Sequence, residues 1–412
     1  MKTIILLWTL AGAAFAQSGF QIKPNDTIVF YGDSITDQRQ YTVLTETFIV
    51  TRFPQYNVRF VHSGWGGDRV SGGGGGPVEE RVKRDVLPYK PTVVTIMLGM
   101  NDGRYRAFDD DIFKTYSSGF EKLVGLIKNG APGVRLTFIE PSPYDDVTRP
   151  PNFNGGYNQV LVRYGAYLKQ LAARTDSQVA DLNTGVVAML RKANDADPEN
   201  AKKIVPDRVH PGWGGHLIMA EELLKAWGAP KTVTTVEIDA ASGRVVRSEN
   251  AAVSDWKSNG GYSWRQKDAA LPMPLPEKTP PVLLAIKSSD FIESLNQEVL
   301  KVTGLRDGRY ALRINGTVAG TFAAADLANG VNLAEYPTPM MKQAEEVHAF
   351  TLKRANVHNL RWRQLQMPLE KESYGRLSTI LENLDALDNE IALRQRAAAQ
   401  PGEFYYELTP AN

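Results

Sequence analysis

The sequence predicts an α/β domain on a parallel sheet up to about residue 230, followed by a smaller strand-and-helix region. Short apolar runs rich in β-branched residues each end in a Gly, Asn or Asp turn, as buried strands do. Between them lie stretches of helical length with apolar residues on one face. After Trp227-Gly228-Ala229-Pro230 the character changes, and a Pro-rich break follows at Leu271-Pro272-Met273-Pro274-Leu275-Pro276. With 412 residues, 42% of them hydrophobic, the chain is large enough for two domains, each with its own core.

The elements follow in order. Lys2 precedes the apolar run Ile4-Ile5-Leu6-Leu7-Trp8-Thr9-Leu10, and Ala14-Phe15-Ala16 has the small-x-small form of a cleavage site, so residues 1–16 read as an export signal. The run is short for spanning a bilayer of about 30 Å, and no later segment is longer and apolar, so no integral membrane segment is expected in the mature chain. The expected location is secreted or periplasmic. The chain has no cysteine, which excludes disulfides and lipidation of a cysteine, so an exported form relies on core packing.

Residues 17–230 form the first domain. Strands are predicted at 27–31, 58–62, 92–98, 134–139 and 178–182, with helices over 113–128, 157–174 and 215–227. In residues 231–412, a strand at 232–238 leads into a hairpin over 239–247. Residues 298–305 and 308–322 are predicted as paired strands around the Ile314-Asn315-Gly316-Thr317 turn, because Asn-Gly suits the tight hairpin. The same Asn-Gly-Thr triplet matches a glycosylation acceptor, but the hairpin needs no sugar. Residues 340–362 and 378–399 carry apolar residues at helical spacing and can pack on the first domain, mediate a dimer, or cover a site.

Four separated blocks carry chemistry. Gly32-Asp33-Ser34-Ile35-Thr36-Asp37 places a serine on a turn directly after an apolar strand. Such a turn serves equally as an ordinary helix cap. Asp207-Arg208-Val209-His210 sets a carboxylate three residues before an imidazole, a spacing that can orient one ring nitrogen and free the other as a base. Only five histidines are present, His62, His210, His216, His348 and His358, so the choice of base is narrow. The strand at 92–98 runs into Gly99-Met100-Asn101-Asp102, and the strand at 58–62 into Ser63-Gly64-Trp65-Gly66-Gly67-Asp68. Parallel sheets present ligand-binding groups at the carboxyl ends of their strands, so these turns can face one crevice.

In the order Ser34, Gly67, Asn101, Asp207 and His210, these blocks resemble the SGNH or GDSL family of serine hydrolases over residues 25–228. The resemblance implies a three-layer α/β/α sandwich with a mostly parallel sheet. It implies Ser34 as nucleophile, His210 as general base and acid, and Asp207 as the residue orienting His210. Asn101, Gly67 and the backbone N–H of Ser34 would form the oxyanion hole. One departure stands out: the second block often reads Asn-x-Gly-x-Ser-Gly-Asp, whereas here His62 replaces the Asn and Gly66 the Ser. His62 is expected to be a partly buried polar residue without a catalytic part. The strand-then-helix extension resembles tails on some bacterial members.

Trp65 and Trp213 flank the second and last blocks, where they can contact substrate or pack over loop backbone. Ser71-Gly72-Gly73-Gly74-Gly75-Gly76-Pro77 lacks the Gly-Lys-Ser ending of a phosphate loop and reads as a flexible loop, beside the site or simply in solvent. Tyr144-Asp145-Asp146 can line a pocket or be solvated, and no metal or cofactor is assigned.

With 47 basic and 46 acidic side chains, nothing in the charge balance attracts nucleic acid. The expected function is an exported carboxylic ester hydrolase with a Ser-His-Asp site, removing a short acyl group such as acetyl from a carbohydrate or similar small or polymeric ester. A lipid or lysophospholipid acylhydrolase is one alternative, and acyl transfer to a sugar hydroxyl another. A noncatalytic glycan- or partner-binding protein that retains the fold is a third.

Overall fold

The computed structural model describes residues 19–372 and 374–411, so the predicted export signal lies outside the described residues. The first domain is a five-stranded parallel sheet in the spatial order Arg59–Gly64, Thr27–Gly32, Val93–Met97, Arg135–Ile139, Gln178–Ala180. Both faces of its central strands are covered, and Ile28, Val29, Phe30 and Tyr31 are all fully buried. This is why the strand reads as a continuous apolar run and not as an alternation.

Helices Val78–Asp85, Asp110–Gly130 and Gly156–Thr175 pack together in one layer, and Gln40–Arg52, Leu182–Ala196 and Trp213–Ala226 in the other. The three-layer α/β/α sandwich is thus the observed fold. The chain starts in the second strand position, steps outward once, then crosses back to build the other half. The order reverses between Thr27–Gly32 and Val93–Met97, and the carboxyl ends of those two strands open a crevice.

The C-terminal region differs from expectation in its pairing. The Asn315-Gly316 hairpin joins Arg309–Ile314 to Thr317–Ala323 as predicted. Gln297–Thr303 does not pair with that hairpin. It lies parallel to Thr232–Asp239 in a separate four-stranded sheet. Strands Ala251–Ser258, Tyr262–Asp268 and Glu403–Ala411 were not expected, and the last of these sits between Tyr262–Asp268 and Arg309–Ile314 in a five-stranded antiparallel sheet. Beyond the Pro-rich stretch, Pro280 and Pro281 open the helix Pro280–Lys287, since a proline in the first turn gives up no helical hydrogen bond.

The helices Pro339–Asn359 and Leu377–Ala398 pack on each other and onto Gln40–Arg52 of the first domain. Arg354 bonds Glu46 at 2.8 Å, and Gln395 bonds the same carboxylate at 2.9 Å. Arg52 donates to the carbonyls of Pro230, Thr232 and Leu295, tying the junction between the two regions. Of the three roles open to these helices, packing on the first domain is the one observed. Among the described residues no helix is long and apolar enough to cross a membrane.

Asp268 is buried in the C-terminal sheet, with one oxygen accepting from Gln266 Nε2 at 2.8 Å and the other without a protein partner. Burial pushes its carboxyl up to about 7. A group whose value is raised on folding favours the folded state fully in acid, below its unfolded value, and loses that contribution as pH rises through the folded value. The unfolding midpoint is therefore expected to fall between about pH 4 and pH 7. Asp268→Asn should make that decline shallower, which thermal melts at pH 5 and pH 8 would show; an unchanged slope would refute it.

Candidate active site

Ser34 occupies the first position of the short helix Ser34–Asp37, at the carboxyl end of Thr27–Gly32. Asp33 caps that helix, its carboxylate accepting from the Ile35 N–H at 3.0 Å, so the turn presents the serine while its neighbours stay buried. Burial pushes the Asp33 carboxyl up to about 7.

His210 Nε2 lies 2.8 Å from Ser34 Oγ, and His210 Nδ1 lies 2.7 Å from Asp207 Oδ2. The other Asp207 oxygen accepts the backbone N–H groups of Val209 and His210, at 2.9 and 2.7 Å. One carboxylate thus fixes both the loop and the ring. Partial burial alone would raise Asp207, but the hydrogen bonds from His210 and Val209 outweigh it and hold the carboxyl below its usual range. Arg208 takes φ 73, an uncommon conformation for a residue with a side chain. It is held there by Arg208 Nη1 on the Pro150 carbonyl at 3.0 Å and by the Asp145 N–H on the Arg208 carbonyl at 2.9 Å.

The remaining histidines bond to partners other than Ser34. His62 is buried, with Nδ1 2.8 Å from Thr42 Oγ1, its ring stacked on Phe30 and Glu46 near Nε2. His216 Nδ1 accepts the Tyr41 N–H at 3.2 Å while its Nε2 faces Gln38 Oε1 at 3.1 Å. Burial drives His216 down to about 3, so it is neutral there. Gln38 also donates to the Pro211 carbonyl at 3.2 Å, which couples the serine helix to the His210 loop. His348 and His358 are likewise pushed down by burial, to about 4 and about 3.

Trp65-Gly66-Gly67-Asp68 is a four-residue turn closed by the Asp68 N–H on the Trp65 carbonyl at 3.1 Å. Gly67 has φ +76, which the third turn position requires and glycine adopts freely. Gly66 and Gly67 are exposed, and a Cβ at Gly66 would lie only 3.7 Å from Asp37 Oδ2, so the turn adjoins the serine helix. Asn101 Nδ2 donates to the Asp68 carbonyl at 3.1 Å, and Tyr105 Oη donates to Asn101 Oδ1 at 3.0 Å. The two contacts orient the amide with its N–H side toward the turn. Asp102, beside it, accepts the Val70 N–H at 3.0 Å, and burial pushes its carboxyl up to about 7.

Ser34, Asp207 and His210 are thus directly hydrogen-bonded, and Gly67 and Asn101 meet across Asp68. Trp65 stands differently from an exposed stacking face. It is 8% exposed and lies under the Arg363 guanidinium. Trp213 packs edge-on against His348 of the C-terminal helix. The glycine run is not a loose loop: Gly72–Gly73 and Gly76–Pro77 pair as a small hairpin, and a Cβ at Gly75 would lie 2.7 Å from the Trp65 ring. Asp145 and Asp146 bind Arg149, Arg208 and local N–H groups, so the acidic pair is not simply solvated.

Sequence reasoning missed Tyr105, Arg81 and Arg363. Tyr105 is 43% exposed and lies among Tyr144 and Tyr157. Its position four residues after Asn101, on a loop, was the available signal. Arg81 stands four residues before Asp85 on one helix, a spacing that was the available signal, whereas Arg363 had none because Trp65 is remote in sequence.

Residues 30–218 match the model of the GDSL-like Lipase/Acylhydrolase family. An acetylxylan esterase of Geobacillus stearothermophilus is 26% identical over 233 residues, covering 50% of this chain and 96% of that protein. A solved structure described as a gut microbial diltiazem-metabolizing enzyme aligns with a TM-score of 0.81 at 26% identity, covering 95% of this chain and 98% of the other. The similarity to the esterase covers half of this chain, whereas that to the solved structure covers nearly all of it, the C-terminal region included.

Proposed function

Residues 30–218 belong to the GDSL-like lipase/acylhydrolase family, which makes this chain an SGNH/GDSL hydrolase and a carboxylic ester hydrolase, and we propose that it removes short acyl groups through Ser34, His210 and Asp207. The observation that carries the reading is the unbroken chain of hydrogen bonds from Ser34 Oγ through His210 to Asp207. In the proposed reaction His210 Nε2 takes the serine proton as Oγ bonds to the acyl carbon. The carbonyl oxygen becomes an anion, met by the N–H groups of Ser34 and Gly67 and by the second N–H of the Asn101 side chain. Each such donor is worth about 2.7–4 kcal/mol at the transition state. His210 then protonates the leaving alcohol, and a water activated by the same ring releases the acid. Asp207 stays ionised throughout and balances the imidazolium.

Short acyl groups and a carbohydrate alcohol are favoured by the acetylxylan esterase relative and by the openness of the site. Gly66, Gly67 and Asp207 are exposed, and Tyr105 offers a half-open aromatic ring beside Asn101. A long acyl chain needs an apolar groove at the serine. An apolar groove of about 950 Å³ does exist, but Leu283, Ile286, Tyr336 and Met341 of the C-terminal region line it, and no residue of the site does. Export belongs to the same proposal and rests on the amino-terminal pattern alone.

The test compares para-nitrophenyl acetate with the octanoate ester, and acetate release from acetylated xylan, using the mature chain. Acetate is expected to turn over faster, with acetate released from the polymer. Faster octanoate hydrolysis with no acetate release would favour the lipid reading instead. Asn101→Ala should lower kcat by about 10²-fold or more if its amide meets the oxyanion.

A further inference from the structure

After the helix Pro339–Asn359 the chain winds into a π-helical segment, Leu360–Gln366. Such wide turns are rare and often sit at functional positions. This one delivers Trp362 and Arg363 onto the first domain. Trp362 is 2% exposed, donates from Nε1 to Asp85 Oδ1 at 2.7 Å, and meets the Trp65 ring edge-on at 5.8 Å. The Arg363 guanidinium lies over the same ring, its central carbon 3.0 Å from the centroid. Burial lowers the Arg363 guanidinium from its usual range, and the charge of Asp37, on the serine helix, opposes that.

Trp65 is the first residue of the turn that carries Gly67. Its own N–H is fixed to the Gly32 carbonyl at 2.9 Å, and its carbonyl closes the turn. The two central residues are exposed glycines, which bring no side chain to hold the backbone and have the most conformational freedom to lose. The turn is therefore held by its ends. Asp68 is gripped by Arg81 Nε at 2.8 Å. Trp65 is gripped by Gly74 and Gly75 and by Arg363.

We propose that Arg363, supplied by the C-terminal extension, is a positioning residue of the ester site that acts through Trp65 to hold the Gly67 N–H in place. The inference rests on Gly67 being an oxyanion donor. A donor works only within a few tenths of an ångström of the developing charge, and a misplacement of about 1 Å costs about 10²-fold in rate. Arginine suits the task because a flat guanidinium can stack on an indole face, whereas a lysine ammonium is a point charge without a face.

The test uses the full mature chain and para-nitrophenyl acetate. Arg363→Ala is expected to lower kcat about tenfold or more, with KM changed less than about twofold and the unfolding midpoint nearly unchanged. Arg363→Lys should recover little of the loss. Trp65→Leu should lower kcat similarly, and the double variant should be no worse than the worse single one, since both act through one element. An unchanged kcat in Arg363→Ala overturns the proposal, and so does a rise in KM alone, which would make Arg363 a substrate contact. Full recovery by lysine overturns it too. Gly67→Ala separates the two levels, because its φ of +76 strains any side chain there. If Gly67→Ala lowers kcat while Arg363→Ala does not, only the role of Arg363 falls; if neither does, the oxyanion reading of the turn falls with it.

Discussion

Ser34→Ala is expected to lower kcat for an acetate ester by about 10⁴-fold or more, because the bond to the acyl carbon then has no oxygen to form from. His210→Ala should cost a similar factor, and the double variant about as much as either single one, since the two groups act as a unit. The stability of both variants should hardly change. Ser34 is half-buried and His210 partly exposed, so neither truncation opens a cavity in the core. Measured kcat for the three variants beside their melting curves checks this. Activity retained in Ser34→Ala would remove the serine from the mechanism. The reaction needs the Nε2 atom of His210, which lies 2.8 Å from Ser34 Oγ, as acceptor of the serine proton. Asp207, held below the usual carboxylate range, should stay ionised at neutral pH and keep the ring oriented.

Arg81→Met is expected to destabilise the protein by about 3–5 kcal/mol, among the largest effects of any single change. Arg81 is fully buried and binds Asp68 Oδ2 at 2.8 Å, Asp85, and the Ser63 carbonyl at 2.8 Å. Its guanidinium also lies 4.8 Å from the Tyr31 ring and 5.8 Å from that of Trp362. A methionine fills the space but leaves the buried Asp68 carboxylate without its cation, and Asp85 with Arg84 and Trp362 as its remaining partners. Burial already raises Asp68 against the opposing pull of Arg81, and without the arginine it rises further. A folded-state value raised above the unfolded one costs stability as pH rises, so the loss should be smaller at pH 5 than at pH 8. Urea unfolding at the two pH values measures this. A loss under about 1 kcal/mol, or one independent of pH, would contradict the account. The variant should also lose activity beyond its loss of fold, because Asp68 ends the turn that carries Gly67 and accepts from Asn101.

Much of the first domain was legible because its signals are local. Thr27–Gly32 and Val93–Met97 are continuous apolar runs, and their turns announce where side chains leave the sheet. Asp207 was legible beside His210 because a three-residue spacing suffices for one carboxylate to reach both the backbone and the ring. The Asn315-Gly316 turn was legible for the same reason. Gln297–Thr303 was assigned the wrong neighbour because periodicity shows that a strand exists and not what it pairs with. Glu403–Ala411 carried a usable signal, with Tyr406 and Leu408 buried between more open neighbours, yet its partners lie far back in the chain. The glycine run was read as flexible because its composition says nothing of the indole that packs on it.

The sequence by itself determined the α/β alternation, the serine turn, the Asp-His loop and the absence of disulfides, since each depends on residues within a few positions of one another. Only the tertiary structure decided that His210 is the imidazole hydrogen-bonded to Ser34, across 176 residues of chain, while His62, His216, His348 and His358 find their partners elsewhere. It also decided that Trp65 is gripped by Arg363 and that Arg81 joins both regions through Asp85 and Trp362. Arg81 and Asp85 share a helical spacing, but the stacking of Arg363 on Trp65 and the bond from Trp362 to Asp85 depend on distance in space, and no spacing in the sequence could have announced them.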